Sequence, residues 1–386
     1  MDRRPDRYAI RAAVAAIAVG STLCASAVGR AEQASSVEVE EEGERTLSAL
    51  LGLGKARAEA GHHQEAIPLL QRALTITRAQ YGLFDLRQQD VLKALAASLT
   101  AAERVPEAQD LMIYRVRTAE KAYGEGSPKV IPAVCDLGDW FAEVGMSREA
   151  RMAYYMALNI VGTTESLNAP IIVEPLRGIA RTRMREQSYP ESKPRRSLGP
   201  ILGPPIGSMP RNGRFVPLNP EGEEALKRAL RIVEADPEAS PQTRIETLIQ
   251  MGDWYQIKKL PREALPYYQR AWQLSRTAPD PPSSASTTLN VPVRVYHPQP
   301  QIVGDVPAAH AEETRSHYVQ VEFTVAADGS VRDARIVDHD TREQYAQEIF
   351  DAVRASRFRP KFIDGQAVAA TGITYREVFW TGKPRD

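Results

Sequence analysis

The chain has 386 residues, enough for two or three domains, and its 43% hydrophobic and 25% charged residues are those of a globular protein. Its 49 basic and 49 acidic residues cancel, which excludes a global field favouring nucleic acid or an anionic surface. Aromatic residues make up only 7% and are scattered, so base-stacking platforms are not expected either.

At the N-terminus, Arg3, Arg4, Arg7 and Arg11 accompany an apolar stretch from Ala12 to Cys24, and Ala25-Ser26-Ala27 offers a cleavage site. This order reads as an export signal over residues 1–27. The alternative is an uncleaved membrane anchor over 9–28, alanine-rich and interrupted by Arg11. Bulky Leu23 before Cys24 argues against lipid attachment there. Removing residues 1–27, with four Arg and two Asp, leaves net charge −2 and Cys135 as the remaining cysteine. Packing, not disulfides, must then hold the fold. Residues 28–43 form an acidic tail, whose run Glu38, Glu40, Glu41, Glu42 continues to Glu44.

A repeat follows. Leu53-Gly54, Leu95-Ala96, Leu137-Gly138 and Ile179-Ala180 each begin 42 residues after the last. Thirteen residues after the first three stand Ala66, Ala108 and Ala150, each preceded by glutamate. The large-then-small pair marks a first helix that a neighbour can approach closely. A short turn with Gly61 or Gly145 leads to a second helix with apolar residues at helical spacing, such as Ala66, Leu70, Ala73 and Leu74. Neither stripe can be buried alone, but stacked hairpins bury both.

These positions resemble the tetratricopeptide repeat (TPR) family. Leu53, Gly54, Gly61, Ala66, Leu70 and Ala73 carry the match in the first unit; Leu137, Gly138, Phe141, Gly145, Ala150, Tyr154 and Ala157 carry it in the third. The 42-residue step exceeds the usual step of about 34 and is similar to the longer-helix variant of kinesin light chains. The second unit departs most, with Ala96 for glycine and Arg115 for the late alanine. In such arrays the first helices line a concave groove. One groove position followed through the register gives Lys55, Ala97, Asp139, Arg181 and Asp253. Lys55, Asp139, Arg181 and Asp253 are the candidate partner contacts that this resemblance implies.

A fourth unit begins with Leu176, Ile179, Ala180 and Arg183, then breaks at a basic insertion, 190–220, rich in proline and glycine. This stretch reads as a loop, or as a recognition loop for an acidic partner. The helical pattern returns at Glu224-Ala225-Leu226 with Ala229 and Ile232, the expected second helix of the same unit. A fifth unit carries Leu248, Met251-Gly252, Tyr255, Glu263-Ala264, Tyr268 and Ala271. The array is therefore expected over 44–277.

Residues 278–300, rich in Pro, Ser and Thr, read as a linker. The period then changes. Val319, Val321, Phe323 and Val325 alternate with polar residues, Asp328-Gly329 signals a turn, and Val331–Val337 reads as the returning strand. Thr341 and Gln344 suit a capping box before a helix with Tyr345, Ile349, Phe350 and Val353 on one face. Phe358-Arg359-Pro360 is read as its end, Asp364-Gly365 as a turn, and Ile373–Trp380 as a final strand. Val319–Val337, the phrase FRPKFIDGQAV (Phe358–Val368) and the aromatic last strand resemble the TonB C-terminal domain. The usual tyrosine-proline and glycine-rich approach to the first strand is absent, and His310–His317 stands there. The expected fold is thus an all-α TPR-like solenoid followed by a small α+β TonB C-terminal-like domain, 301–386.

The TonB resemblance implies pairing with a segment of an outer-membrane receptor by strand addition, which needs an open sheet edge. Thr374, Tyr375, Arg376, Val378 and Trp380 on the last strand are the candidate contacts; Arg376 and Glu377 could instead blunt that edge. TonB proteins also carry an inner-membrane anchor and a long spacer, and here repeats occupy the spacer's place.

The motifs of catalysis are missing. There is no zinc-hydrolase helix and no G-x-S-x-G, and Gly52-x-Gly54-Lys55 lacks phosphate-loop spacing. His62-His63 falls in a hairpin turn, and His310 and His317 are too loosely placed for a metal. Cys135 reads as a packed residue of a first helix. No catalytic residue, metal or cofactor is expected. The expected function is a periplasmic, non-enzymatic adaptor for envelope proteins, an outer-membrane receptor among the candidates. Membrane contact would come only through an uncleaved N-terminal segment. The alternative is an atypical TonB-type energy transducer anchored by that segment.

Overall fold

A computed structural model describes residues 43–164, 168–188, 222–277, 289–298, 300 and 315–381. The expected signal, nearly all of the acidic tail, the insertion and His310 lie outside the described residues. The chain divides into two compact units between Ala122 and Tyr123. The first holds two helical hairpins: α1 (residues 43–59) with α2 (His63–Tyr81), and α3 (Gln88–Ala101) with α4 (Val105–Tyr123, its last residue past the division). The second holds α5 (Ile131–Glu143) with α6 (Ser147–Thr164), α7 (Val173–Ser188) with α8 (Gly222–Ala235), and α9 (Pro241–Ile257) with α10 (Pro261–Thr277).

The repeat phrases fall where the hairpins need them. Ala66, Leu70, Ala73 and Leu74 are buried on one face of α2, and Ala225, Leu226, Ala229 and Ile232 on one face of α8. This is the stripe that a helix must bury against neighbours. Four hairpin turns share one closing bond. The amides of His62, Arg104, Met146 and Leu260 reach the carbonyls of Arg57, Leu99, Phe141 and Tyr255, five residues back. Such Schellman closures put the preceding residue in the left-handed region. Gly61 and Gly145 hold it at φ 80° and 84°; Glu103 and Lys259 are forced into it at 61°.

The C-terminal domain follows α10. Strands β2 (Arg315–Val325), β3 (Val331–His339) and β7 (Ala370–Thr381) form an antiparallel sheet in the order β3-β2-β7. The helix α11 (Glu343–Ala355) covers one face, burying Ala346, Ile349 and Val353 against Val319, Val321, Phe323 and Val325. Gly329 closes the first turn at φ 79°, where Asp328 accepts the Ser330 amide at 2.9 Å.

Several expectations are corrected. The helix begins after Arg342, whose side chain makes no cap bond, so Thr341 and Gln344 form no capping box. It ends at Ala355, and Phe358-Arg359 belongs to a strand, β4 (Arg357–Arg359). Val293–Tyr296, in the stretch read as linker, is strand β1 and pairs antiparallel with β4. β5 (Lys361–Ile363) and β6 (Gln366–Val368) form a further hairpin around Asp364-Gly365, both at positive φ (49° and 76°) as a type I′ turn needs.

Candidate partner-binding surfaces

Two surfaces and one junction concentrate polar groups in the second unit. The first surface is the layer of first helices, where α7 touches both α5 and α9. Arg181 of α7 donates to Asp139 of α5 at 2.6 Å and to Glu174 at 2.7 Å. Arg177 reaches Glu174 at 3.1 Å, Glu246 of α9 at 2.7 Å and Gln250 at 3.1 Å. Gln242 donates to Glu246 in turn. The chain Asp139–Arg181–Glu174–Arg177–Glu246 ties three repeats together. Arg177 is almost wholly recessed, at 8% exposure, whereas the three carboxylates are 40–46% exposed. Within this network the carboxylates are more exposed than the guanidiniums, with Arg181 at 32%. Burial opposes the charge on Arg181, but Glu174, Tyr154 and Asp139 raise its pKa above the ordinary arginine value.

The second surface is the outer edge of β7. On one side β7 pairs with β2 from Arg315↔Thr381 to Val325↔Ala370. Among the described residues no strand pairs with its other side. Tyr375 and Phe379 pack toward the α11-covered core, and the alternate residues Thr374, Arg376 and Val378 are exposed. Arg376 lies over the Tyr318 ring at 3.7 Å, and Tyr318 donates to Asp338 of β3 at 2.7 Å. Arg376 is therefore laid along the sheet face and does not project past the edge. Trp380 pairs through its backbone with Ser316.

The junction joins α9 and α10 to the C-terminal domain. Arg359 of β4 grips Asp253 of α9 with two bonds, 3.0 and 2.6 Å, and the Tyr268 hydroxyl donates to the same carboxylate at 2.8 Å. Arg359 and Asp253 are only 8% and 14% exposed. Burial opposes the guanidinium's charge, yet the Asp253 carboxylate raises its pKa. Burial, then Asp253, raises the Tyr268 hydroxyl. Phe362 of β5 meets Tyr268 edge-on at 6.3 Å, and Gln256 donates to the Asp328 carbonyl at 2.9 Å.

The candidate contacts are thus placed differently. Lys55 is exposed on α1 in the first unit. Asp139 and Arg181 meet each other on the first-helix layer. Asp253 is turned to its own chain. The Glu174–Arg177 pair has the i, i+3 spacing of one helix face, but nothing local in the sequence marks Glu246 as linked to them, because its bond to Arg177 crosses from α9 to α7. Among the described residues no group of His, Cys, Asp and Glu is placed to hold a metal ion, and no helix is long and apolar enough to cross a membrane. Cys135 is buried, and burial and nearby carboxylates raise its thiol pKa far above the ordinary value.

Residues 307–377 match the family described as Gram-negative bacterial TonB protein C-terminal. The C-terminal domain is a TonB C-terminal domain. The helical repeats before this TonB domain are a TPR-like solenoid. Among solved structures, the Podosopora anserina kinesin light chain with nearly identical TPR-like repeats shares 16% identity, covering 61% of this chain and 97% of that one, with a TM-score of 0.41. BtubC of P. vanneervenii shares 14%, covering 69% and 95%, with a TM-score of 0.41. Pseudomonas aeruginosa pilF shares 15%, covering 64% and 92%, with a TM-score of 0.33. At these scores the repeat assignment stands on the hairpins' own geometry. No curated protein matches the chain.

Proposed function

We propose that this protein is a non-enzymatic adaptor of the Gram-negative periplasm that holds one partner on its TPR-like layer and another on the β7 edge of its TonB domain. The open β7 edge within a domain of the TonB C-terminal family carries this reading. An unpaired edge offers a row of main-chain donors and acceptors, and an incoming extended segment satisfies them. Thr374, Tyr375, Arg376, Val378 and Trp380 form that edge. On the helical side, Asp139 and Glu174, bridged by Arg181, and Glu246 present carboxylates that favour a segment carrying Lys or Arg; Lys55 is the corresponding position in the first unit. The outer-membrane receptor is the candidate partner for the strand.

A photo-crosslinking residue placed at Val378 of the exported full chain tests this. The expected adduct is with a periplasm-facing segment of an outer-membrane protein, and a control crosslinker at Asp351 on α11 gives none. Equal labelling at both positions, or recovery of the chain only from the cytoplasm, overturns the reading. N-terminal sequencing of the exported chain separates the alternative. A chain beginning near Val28 supports the periplasmic adaptor, and an intact Met1 supports the anchored energy transducer.

A further inference from the structure

Repeat five meets the TonB domain as repeat three meets repeat four. In repeat three, Tyr154 of α6 lies against Gly138 of its own first helix and Gly178 of the next, so a side chain at either glycine would strike the ring. The Tyr154 hydroxyl donates to Asp139 at 2.7 Å, and Arg181 of the next repeat completes the node at 2.6 Å. In repeat five, 114 residues on, Tyr268 lies against Gly252 and donates to Asp253. No further repeat follows α10 among the described residues. The ring contact comes instead from Phe362, and the guanidinium from Arg359. Leu289, fully buried, joins the same cluster with Trp254, Tyr268 and Phe362, and Gly365 stands over Trp272.

We propose that the TonB domain is the closing unit of the solenoid, with β1, β4 and the β5–β6 hairpin standing where the first helix of a sixth repeat would stand. A solenoid end must be covered by something other than another identical repeat. Here the cover is the second binding module. β1 and β4 touch α9, β1 also touches α7, and β6 touches α10. The Ser330↔Arg357 bridge ties β4 to the turn that precedes β3. Within the domain, Arg294 of β1 lies over the Tyr375 ring of β7 at 4.4 Å, and His297 meets the same ring edge-on at 5.8 Å. Docking through β1, β4 and β6 therefore fixes the β7 edge at a set distance from the α5–α7–α9 layer. Partners on the two surfaces are held in one geometry.

Distance measurement between spin labels on the full chain tests this without any partner. Labels at Arg148→Cys on α6 and Asp351→Cys on α11, in a Cys24→Ala, Cys135→Ala background, are expected to give one narrow distance peak. Arg359→Asp with Phe362→Ala is expected to broaden it severalfold. The reversed pair, Asp253→Arg with Arg359→Asp, is expected to narrow it again. A broad distribution in the chain carrying only the labels and the cysteine replacements overturns the proposal, and so does an equally narrow peak in the Arg359→Asp, Phe362→Ala variant. The first of these outcomes needs no destabilised variant, and neither depends on what binds β7.

Discussion

Asp139 and Asp253 occupy the same place in repeats three and five, and each accepts a tyrosine hydroxyl and a guanidinium. Their surroundings separate them. Arg181 keeps Glu174 as a second carboxylate and stays partly exposed, whereas Arg359 is buried and grips Asp253 with two bonds. One constellation thus serves as a surface brace inside the array and as a sealed joint at its end. The difference teaches that the register of a repeat sets where a polar group stands, and what packs over it sets its energetic weight.

Asp253→Ala tests that weighting with the largest expected effect. It removes the carboxylate that faces a buried guanidinium, and breaking a buried pair this way costs about 3–5 kcal/mol. Asp139→Ala leaves Arg181 on Glu174 and costs under about 1 kcal/mol, as exposed pairs do. Denaturant unfolding of the two variants side by side checks the contrast. Equal losses would mean that the two nodes are sealed alike.

His297 marks the same joint in its pH dependence. It follows β1, and its Nδ1 lies 2.8 Å from the Ser356 hydroxyl, which itself donates to the Ala352 carbonyl. Nδ1 must then carry the proton, and Nε2 is buried with no partner in the described structure. Burial, then nearby Arg294, pushes this histidine down to about 4 from its ordinary 6.5. Above about pH 6.5 both folded and unfolded chains hold it neutral. Between about 6.5 and 4 the unfolded chain takes up the proton and the folded one does not, so stability falls as pH drops through that window. At about 1.4 kcal/mol per pH unit the loss approaches roughly 3 kcal/mol near pH 4. Unfolding measured across this range should show the slope in the wild-type chain and lose that part of it in His297→Gln.

The joint also marks where sequence reading stops. The hairpins were legible because each must repeat its own spacing; Leu137-Gly138 and Ala150 announce α5 and α6 without outside help. The β2–β3 pair was legible for the same local reason. β1 is four residues long between Pro292 and Pro298, and its partner β4 lies some 60 residues on, so composition pointed to linker. Arg359 stands in a phrase that signals the domain, but its partner is 106 residues away. Thr341 had the chemistry of a cap, yet α11 starts one residue late for it. Among the surface candidates, register alone could not distinguish Asp139 from Asp253.

A smaller effect is expected at the hairpin turns. Glu103 holds the left-handed position that Gly61 and Gly145 hold elsewhere. A side chain there costs about 1 kcal/mol, so Glu103→Gly should raise the unfolding free energy by up to that amount, and Gly145→Ala should lower it similarly. Thermal melts of both variants give the sign directly, and a stabilising Gly145→Ala would contradict the shared turn.

The β7 edge supplies the smallest stability effect and the sharpest contrast with the joint. Val378 is 54% exposed, and among the described residues its backbone pairs with Tyr318 on one side only. Val378→Lys buries nothing new and removes little packing, so its unfolding free energy should stay within about 0.5 kcal/mol of wild type. A charge on an edge strand nonetheless opposes the addition of another strand. A crosslinker at Thr374, on the same exposed face, should therefore lose its adduct in the Val378→Lys chain while the melt is unchanged. If the adduct survives with its yield intact, the partner does not add to β7, whatever holds the domain to the array.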